Sequence, residues 1–212
     1  MNIILTSVEQ GLADAWERWG GDLPFVTVHR GSIFDLSCDA VVSPANSFGF
    51  MDGGIDMLYT QHFGWGVQER LQEAIREDHA GELLVGAAEI VETGDSDLPF
   101  LVAAPTMRVP TILCDSVNPY LAARAALLLV THGTFTRGTY TGERIADFVD
   151  TLAFPGLGTG VGRVGPETCA RQVRAAIDNV LLGREVFPAS WVDAQHRHQG
   201  LYTDRVRDLQ QE

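Results

Sequence analysis

Two short stretches carry residue types and spacings from which chemistry can be built. The first, residues 41–56, reads VVSPANSFGFMDGGID. An apolar run ends at Ser43-Pro44, a loop carries Asn46, and a Gly53-Gly54 pair precedes Ile55-Asp56, where a helical pattern begins. Glycines at the head of a helix let a ligand approach backbone N–H groups that the helix leaves unpaired, and those groups favour anions. Asn46 adds a neutral hydrogen-bonding side chain and Asp56 a carboxylate beside that pocket. The second stretch, residues 154–162, reads FPGLGTGVG and again lies between a strand-like run and a helical one. Its four glycines between Gly156 and Gly162 offer successive amides as an anion-binding concavity, and Thr159 supplies a hydroxyl that can donate to a phosphate oxygen. No Lys-Ser or Lys-Thr follows, so this is not a Walker loop, and the spacing is not that of a dinucleotide fingerprint.

Each feature also has a plain structural reading. Tight turns need glycine, and Asn46 can cap its own loop. Asp56 can simply complement the N-terminal end of its helix, and Asp52 reads equally as a turn residue or a catalytic one. The two stretches together say more than either alone. Strand–loop–helix passages lying side by side at the carboxyl ends of neighbouring strands are where open α/β sheets bind ligands.

The elements that must position them follow from apolar periodicity. Strands are expected over residues 2–5, 25–29, 39–42, 84–91, 100–104 and 151–154. Helices are expected over residues 8–19, from 55 to 74 with an interruption near Gly64-Trp65-Gly66, and over 164–182 with Pro166 in the first turn. Another runs to Val130, with Asn118 as its cap and Pro119 at its first position. A short helix fits 144–150, residues 92–97 read as an acidic hairpin loop, and no element is assigned to 131–142. The alternation of strands and helices predicts an α/β chain, a mixed or parallel sheet with helices on both faces. One domain over residues 1–183 is followed by an extension, 184–212, expected to form one or two loosely packed helices.

Composition narrows the partners. A formal net charge of −13 over 212 residues argues against gripping nucleic acid or an anionic membrane by neutralising phosphates, although backbone amides can still bind a small anion locally. Cys38, Cys114 and Cys169 are an odd number without CxxC spacing, which fits mostly buried thiols in a reducing compartment. Neither a signal-peptide pattern nor an apolar run of membrane-spanning length is present, so a cytoplasmic location is expected. No metal and no cofactor is expected. His62 and His79 are isolated, and His196 and His198, despite alternating spacing, sit among polar residues that read as a solvated face. Cys169 lies near the start of a helix, where a thiolate would be favoured, but reads better as a small residue facing the sheet.

The segment from Gly31 to Asp56, GSIFDLSCDAVVSPANSFGFMDGGID, resembles the macrodomain signature: a Gly-Asp-Ile turn, a strand ending in Asn-Ala-Ala-Asn, and a glycine run followed by an apolar residue and Asp. FPGLGTGVG resembles that family's phosphate loop with its Ser-Thr-Gly-Val core, and the likeness covers residues 23–182. The resemblance implies a three-layer α/β/α sandwich around a mixed, mostly parallel sheet that binds ADP-ribose or an ADP-ribosylated substrate. Gly158, Thr159, Gly160, Val161 and Gly162 would anchor the diphosphate, Gly53, Gly54 and Ile55 would contribute backbone groups near the distal ribose, and Ser32, Ile33, Ala45 and Leu157 would also bind the substrate. Asn46 would orient that ribose and Asp56 would activate water or a ribose hydroxyl, a hydrolase removing an ester-linked protein side chain or acetyl group. A phosphatase acting on the phosphorylated distal ribose, or a non-catalytic ADP-ribose or nucleotide reader, are the alternatives. The chain departs from the family pattern at Ser32, in place of an aspartate that accepts from the adenine amino group, and at Ser43-Pro44, in place of Asn-Ala. Asp52 stands where a third glycine is common. Gly162 replaces an aromatic that packs on the ribose, leaving Phe48 or Phe50 as substitutes.

Overall fold

A computed structural model of the chain describes residues 1–208. Residues 2–7 alternate so that Ile3 and Leu5 point to one side, and they form β1 (Asn2–Ser7), followed by the amphipathic α1 (Gln10–Gly20) and β2 (Val26–Arg30). Next come β3 (Ala40–Ser43), α2 (Gly54–Phe63), α3 (Gly66–Asp78), β4 (Glu89–Glu92) and β5 (Phe100–Ala103). The chain ends with α4 (Asn118–His132), β6 (Thr151–Phe154), α5 (Pro166–Val180) and α6 (Trp191–Gly200). The strands form one sheet in the order β2-β1-β6-β3-β5-β4, parallel throughout except for the β4–β5 pair.

Successive strand residues point to opposite faces, and both faces are apolar. Ile3, Leu5, Val42, Val102, Leu152 and Phe154 pack against α1, α4 and α5 through Leu12, Trp16, Leu127 and Val173. Val41, Leu101, Ala103 and Ala153 pack against α2 and α3 through Tyr59, Val67 and Leu71. The result is the expected α/β/α sandwich around a mixed, mostly parallel sheet.

Three local expectations are corrected. The strand expected over 84–91 is confined to Glu89–Glu92, because Gly86 takes a left-handed φ of 98° and Leu84 is exposed. Asn118 is not a side-chain cap: it is the first residue of α4, and its Nδ2 donates to the Thr106 carbonyl (2.7 Å). The short helix expected over 144–150 is a single 3₁₀ turn, Ile145–Asp147. In the extension, α6 lies against α5 through Arg171, which donates to the Gly200 carbonyl (3.2 Å) and pairs with Asp204 (2.8 Å). Residues 209–212, the end of that expected tail, lie outside the described residues. Among the described residues no helix is long and apolar enough to cross a membrane.

Candidate functional site

The parallel strands point their carboxyl ends the same way, and the loops that leave them enclose a cleft of about 460 Å³. Its walls come from Val8 and Glu9 after β1, from residues 31–34 after β2, and from Asn46 and residues 52–56 after β3. Thr106, Met107 and Pro110 after β5 and residues 158–162 after β6 complete them. Both stretches singled out in the sequence therefore meet in one place.

Asp56 sits in the first turn of α2, only 8% exposed, and lines the cleft. Burial penalises its charged form and pushes the carboxyl up to about 7, against the opposing pull of one hydrogen bond. That bond is donated by Ser43 Oγ to Asp56 Oδ1 at 2.6 Å. Asn46 is held within its own loop: Nδ2 donates to the Phe50 carbonyl (2.7 Å), and Oδ1 accepts from the amides of Phe48 (3.1 Å) and Phe50 (3.3 Å). The loop-capping role is thus realised, and one Nδ2 hydrogen remains for a ligand.

The glycine loop after β6 uses three of its carbonyls. Gly158 O accepts from Val164, Gly160 O from Arg163 and Gly162 O from Leu113, while the five amides from Gly158 to Gly162 donate to no described residue. Gly158 takes φ +68°, and a Cβ on Gly162 would sit 2.5 Å from Gly158 O, so these two glycines are required by the turn itself. The amides of Gly54, Ile55 and Asp56 at the start of α2 likewise have no acceptor among the described residues, Met57 being the first to bond back, to Gly53 O (3.2 Å). No arginine lines the cleft, and all fifteen basic residues of the chain are arginines. Among the described residues, the donors the cleft walls offer an anion are these amides, hydroxyls and the remaining Nδ2 hydrogen of Asn46.

The other sequence candidates divide. Ser32 lines the cleft, yet its hydroxyl accepts from Phe34 N (3.2 Å) and its amide donates to Asp35 Oδ2 (3.3 Å), the reciprocal cap of a 3₁₀ turn. Ile33 and Ala45 are buried residues whose surfaces reach the cleft, as do Gly53 and Thr159. Leu157 does not line it: the side chain is fully buried and the amide donates to Cys169 Sγ (3.3 Å). Cys169 is buried and pushed up to about 12 by that burial, so it presents no thiolate. Of the two aromatic substitutes for the residue at Gly162, Phe50 lines the cleft and is 54% exposed, whereas Phe48 packs beneath the Arg108 guanidinium (5.1 Å). Asp52 is exposed on the cleft wall. His62 stacks on Phe34, His79 meets Glu89 at 2.9 Å, and His196 and His198 lie on α6. Among the described residues no group of three or more His, Cys, Asp or Glu could hold a metal.

Sequence reading missed one wall. Residues 105–117 bridge the two loops: Met107 pairs with Asn46, Arg108 O accepts from Ser47, and Leu113 N donates to Gly162 O (2.7 Å). The segment has no periodicity, and its prolines at 105 and 110 signal only the end of a strand. It also missed Val8 and Glu9, which read there as the start of a helix.

Comparison with known proteins agrees with this architecture. A family model described as Macro domain matches residues 42–173. An uncharacterized protein of Aquifex aeolicus is 32% identical over 146 residues, 69% of this chain and 76% of its own. Among solved structures, the macrodomain of Mycobacterium tuberculosis DarG superposes with a TM-score of 0.55 at 19% identity, over 72% of this chain and 90% of that one. A mutant Oceanobacillus iheyensis macrodomain with ADPR gives 0.57 at 17% identity, over 81% and 86%. At such identities the structural likeness speaks for the fold.

Proposed function

Since this chain belongs to the macrodomain family, we propose that its cleft binds ADP-ribose and removes an ester-linked group, a protein side chain or an acetyl, from the distal ribose. The carrying observation is a buried carboxyl, Asp56, on a cleft that is also lined by a run of five bare amides. The Oceanobacillus iheyensis relative was solved with ADPR, which supports the choice of ligand. The diphosphate lies along Gly158 to Gly162, where amides bind anions without a basic side chain. Gly53, Gly54 and Ile55 border the distal ribose, and the remaining Asn46 Nδ2 hydrogen fixes one of its hydroxyls.

The chemistry assigned to Asp56 is general-base activation. The carboxylate takes a proton from water, the water oxygen adds to the ester carbonyl, the carbon–oxygen bond to ribose breaks, and the ribose oxygen recovers a proton as the carboxylic acid leaves. A base titrating near neutrality is half ionised there, which suits proton transfer in both directions. Replacing Asp56 with Ala should lower release of ADP-ribose from an O-acetyl ester by at least about 100-fold, while calorimetry shows ADP-ribose binding within a few-fold of wild type. Unchanged turnover would remove the assignment.

One observation favours a second reading, phosphate removal from a phosphorylated distal ribose: the unpaired amides of Gly54, Ile55 and Asp56 offer a second anion site at the α2 start. The same protein sample offered both substrates separates the two.

A further inference from the structure

The role of Ser43 emerges from where the sheet places it. It is the last residue of β3, shares the face of Val41 that looks toward α2, and is fully buried. Its backbone is pinned by the ladder, its carbonyl accepting from Ala104 N (2.9 Å), and Pro44 then ends the strand. The hydroxyl therefore has a fixed origin, and it reaches Asp56 Oδ1 at 2.6 Å, the length of a strong bond to a charged acceptor. Among the described residues this is the one hydrogen bond to the Asp56 carboxyl.

We propose that Ser43 is a positioning residue of the catalytic centre: it clamps one oxygen of Asp56, fixes the carboxyl rotamer, and leaves the second oxygen to meet water in the cleft. The proposal rests on the hydrolase reading above. No cation shares the task. The titratable groups around Asp56 are Tyr59 on its own helix, Cys38 before β3, which interacts with Tyr59, and Asp52 and Glu9 on the same cleft walls, all acids. Tyr59 does not compete for the carboxyl, since its hydroxyl donates to Val42 O (3.1 Å). The Ser43 bond favours ionised Asp56 and so opposes the burial that raises it.

The test compares wild type with Ser43→Ala, Ser43→Cys, which keeps the volume with a far weaker donor, and Ser43→Thr, which keeps the hydroxyl. Two readouts are taken: the carbon-13 titration of the Asp56 carboxyl by NMR, and the pH profile of kcat/KM on an O-acetyl ester of ADP-ribose. The Ala and Cys variants should titrate about one pH unit higher than wild type, lose about tenfold in kcat/KM at pH 6, recover at pH 9, and bind ADP-ribose within threefold. The Thr variant should follow wild type. An Asp56 titration unmoved in both Ala and Cys would overturn the proposal, because a merely structural serine would change stability and leave the carboxyl where it was. Should wild type show no turnover, the hydrolase reading falls while the NMR titration still decides whether Ser43 holds Asp56.

Discussion

At Asp56 the proposed role as a base runs against stability. Its carboxyl is raised in the folded protein by burial, so protonation favours the fold. The associated stability is complete below about pH 4, the unfolded value, and is lost as pH rises through about 7. Asp56→Asn should therefore melt higher than wild type at pH 8, by an amount on the order of 2–4 kcal/mol, and about equally at pH 4. Thermal melts at the two pH values check this, and equal melting at pH 8 would mean that the carboxyl is not held in a low-dielectric site. At this scale the sequence was readable for residue type and only partly for role. Asn46 and Asp56 were recognisable as the polar members of a glycine-flanked loop. That Asn46 spends three of its hydrogen bonds on its own loop was one of two readings the sequence left open. The Ser43–Asp56 bond was invisible, because it depends on strand parity bringing residue 43 beneath residue 56.

Loops and helix starts build the proposed anion site, and their backbone geometry would carry the proposed binding. The loop after β6 engages the carbonyls of Gly158, Gly160 and Gly162 and leaves its five amides without a bond to a described residue, an arrangement that a side chain at the wrong glycine would break. Gly158→Ala forces a left-handed residue and brings Cβ within 3.1 Å of Val164 Cγ2. It should cost about 1–2 kcal/mol and weaken ADP-ribose binding at least tenfold. Gly160 has open space around its Cβ direction, so Gly160→Ala should leave the melting temperature within about 2 °C of wild type. Melting and calorimetry on both variants check the contrast; equal losses would argue against the turn geometry. Both glycine loops and five of the six strands lay close to their expected positions, since apolar runs and glycine pairs are local signals. The wall from residues 105–117 was not legible, because nothing local marks a segment whose shape is fixed by bonds to Ser47 and Gly162.

The whole molecule is acidic, and its cleft contains no basic side chain. An anionic ligand must therefore be held by oriented amides in spite of the overall field, which fits a small diphosphate and opposes a polyanion gripped by surface charge. The three-layer architecture makes this feasible by gathering the loops of five parallel strands at one edge. The order β2-β1-β6-β3 sets the glycine loop of β6 between β1 and β3, directly beside the loop that carries Asp56. The extension, with α6 tied to α5 through Arg171, contributes no residue to the cleft among those described. Everything proposed for Asp56, Asn46 and Ser43 presupposes that ADP-ribose occupies this cleft, and a thermal melt with and without ADP-ribose tests that directly. A ligand that binds only the native state at about 100 times its dissociation constant adds about 2.7 kcal/mol, so the melting temperature should rise by roughly 5–10 °C. No rise at millimolar ADP-ribose would contradict the account.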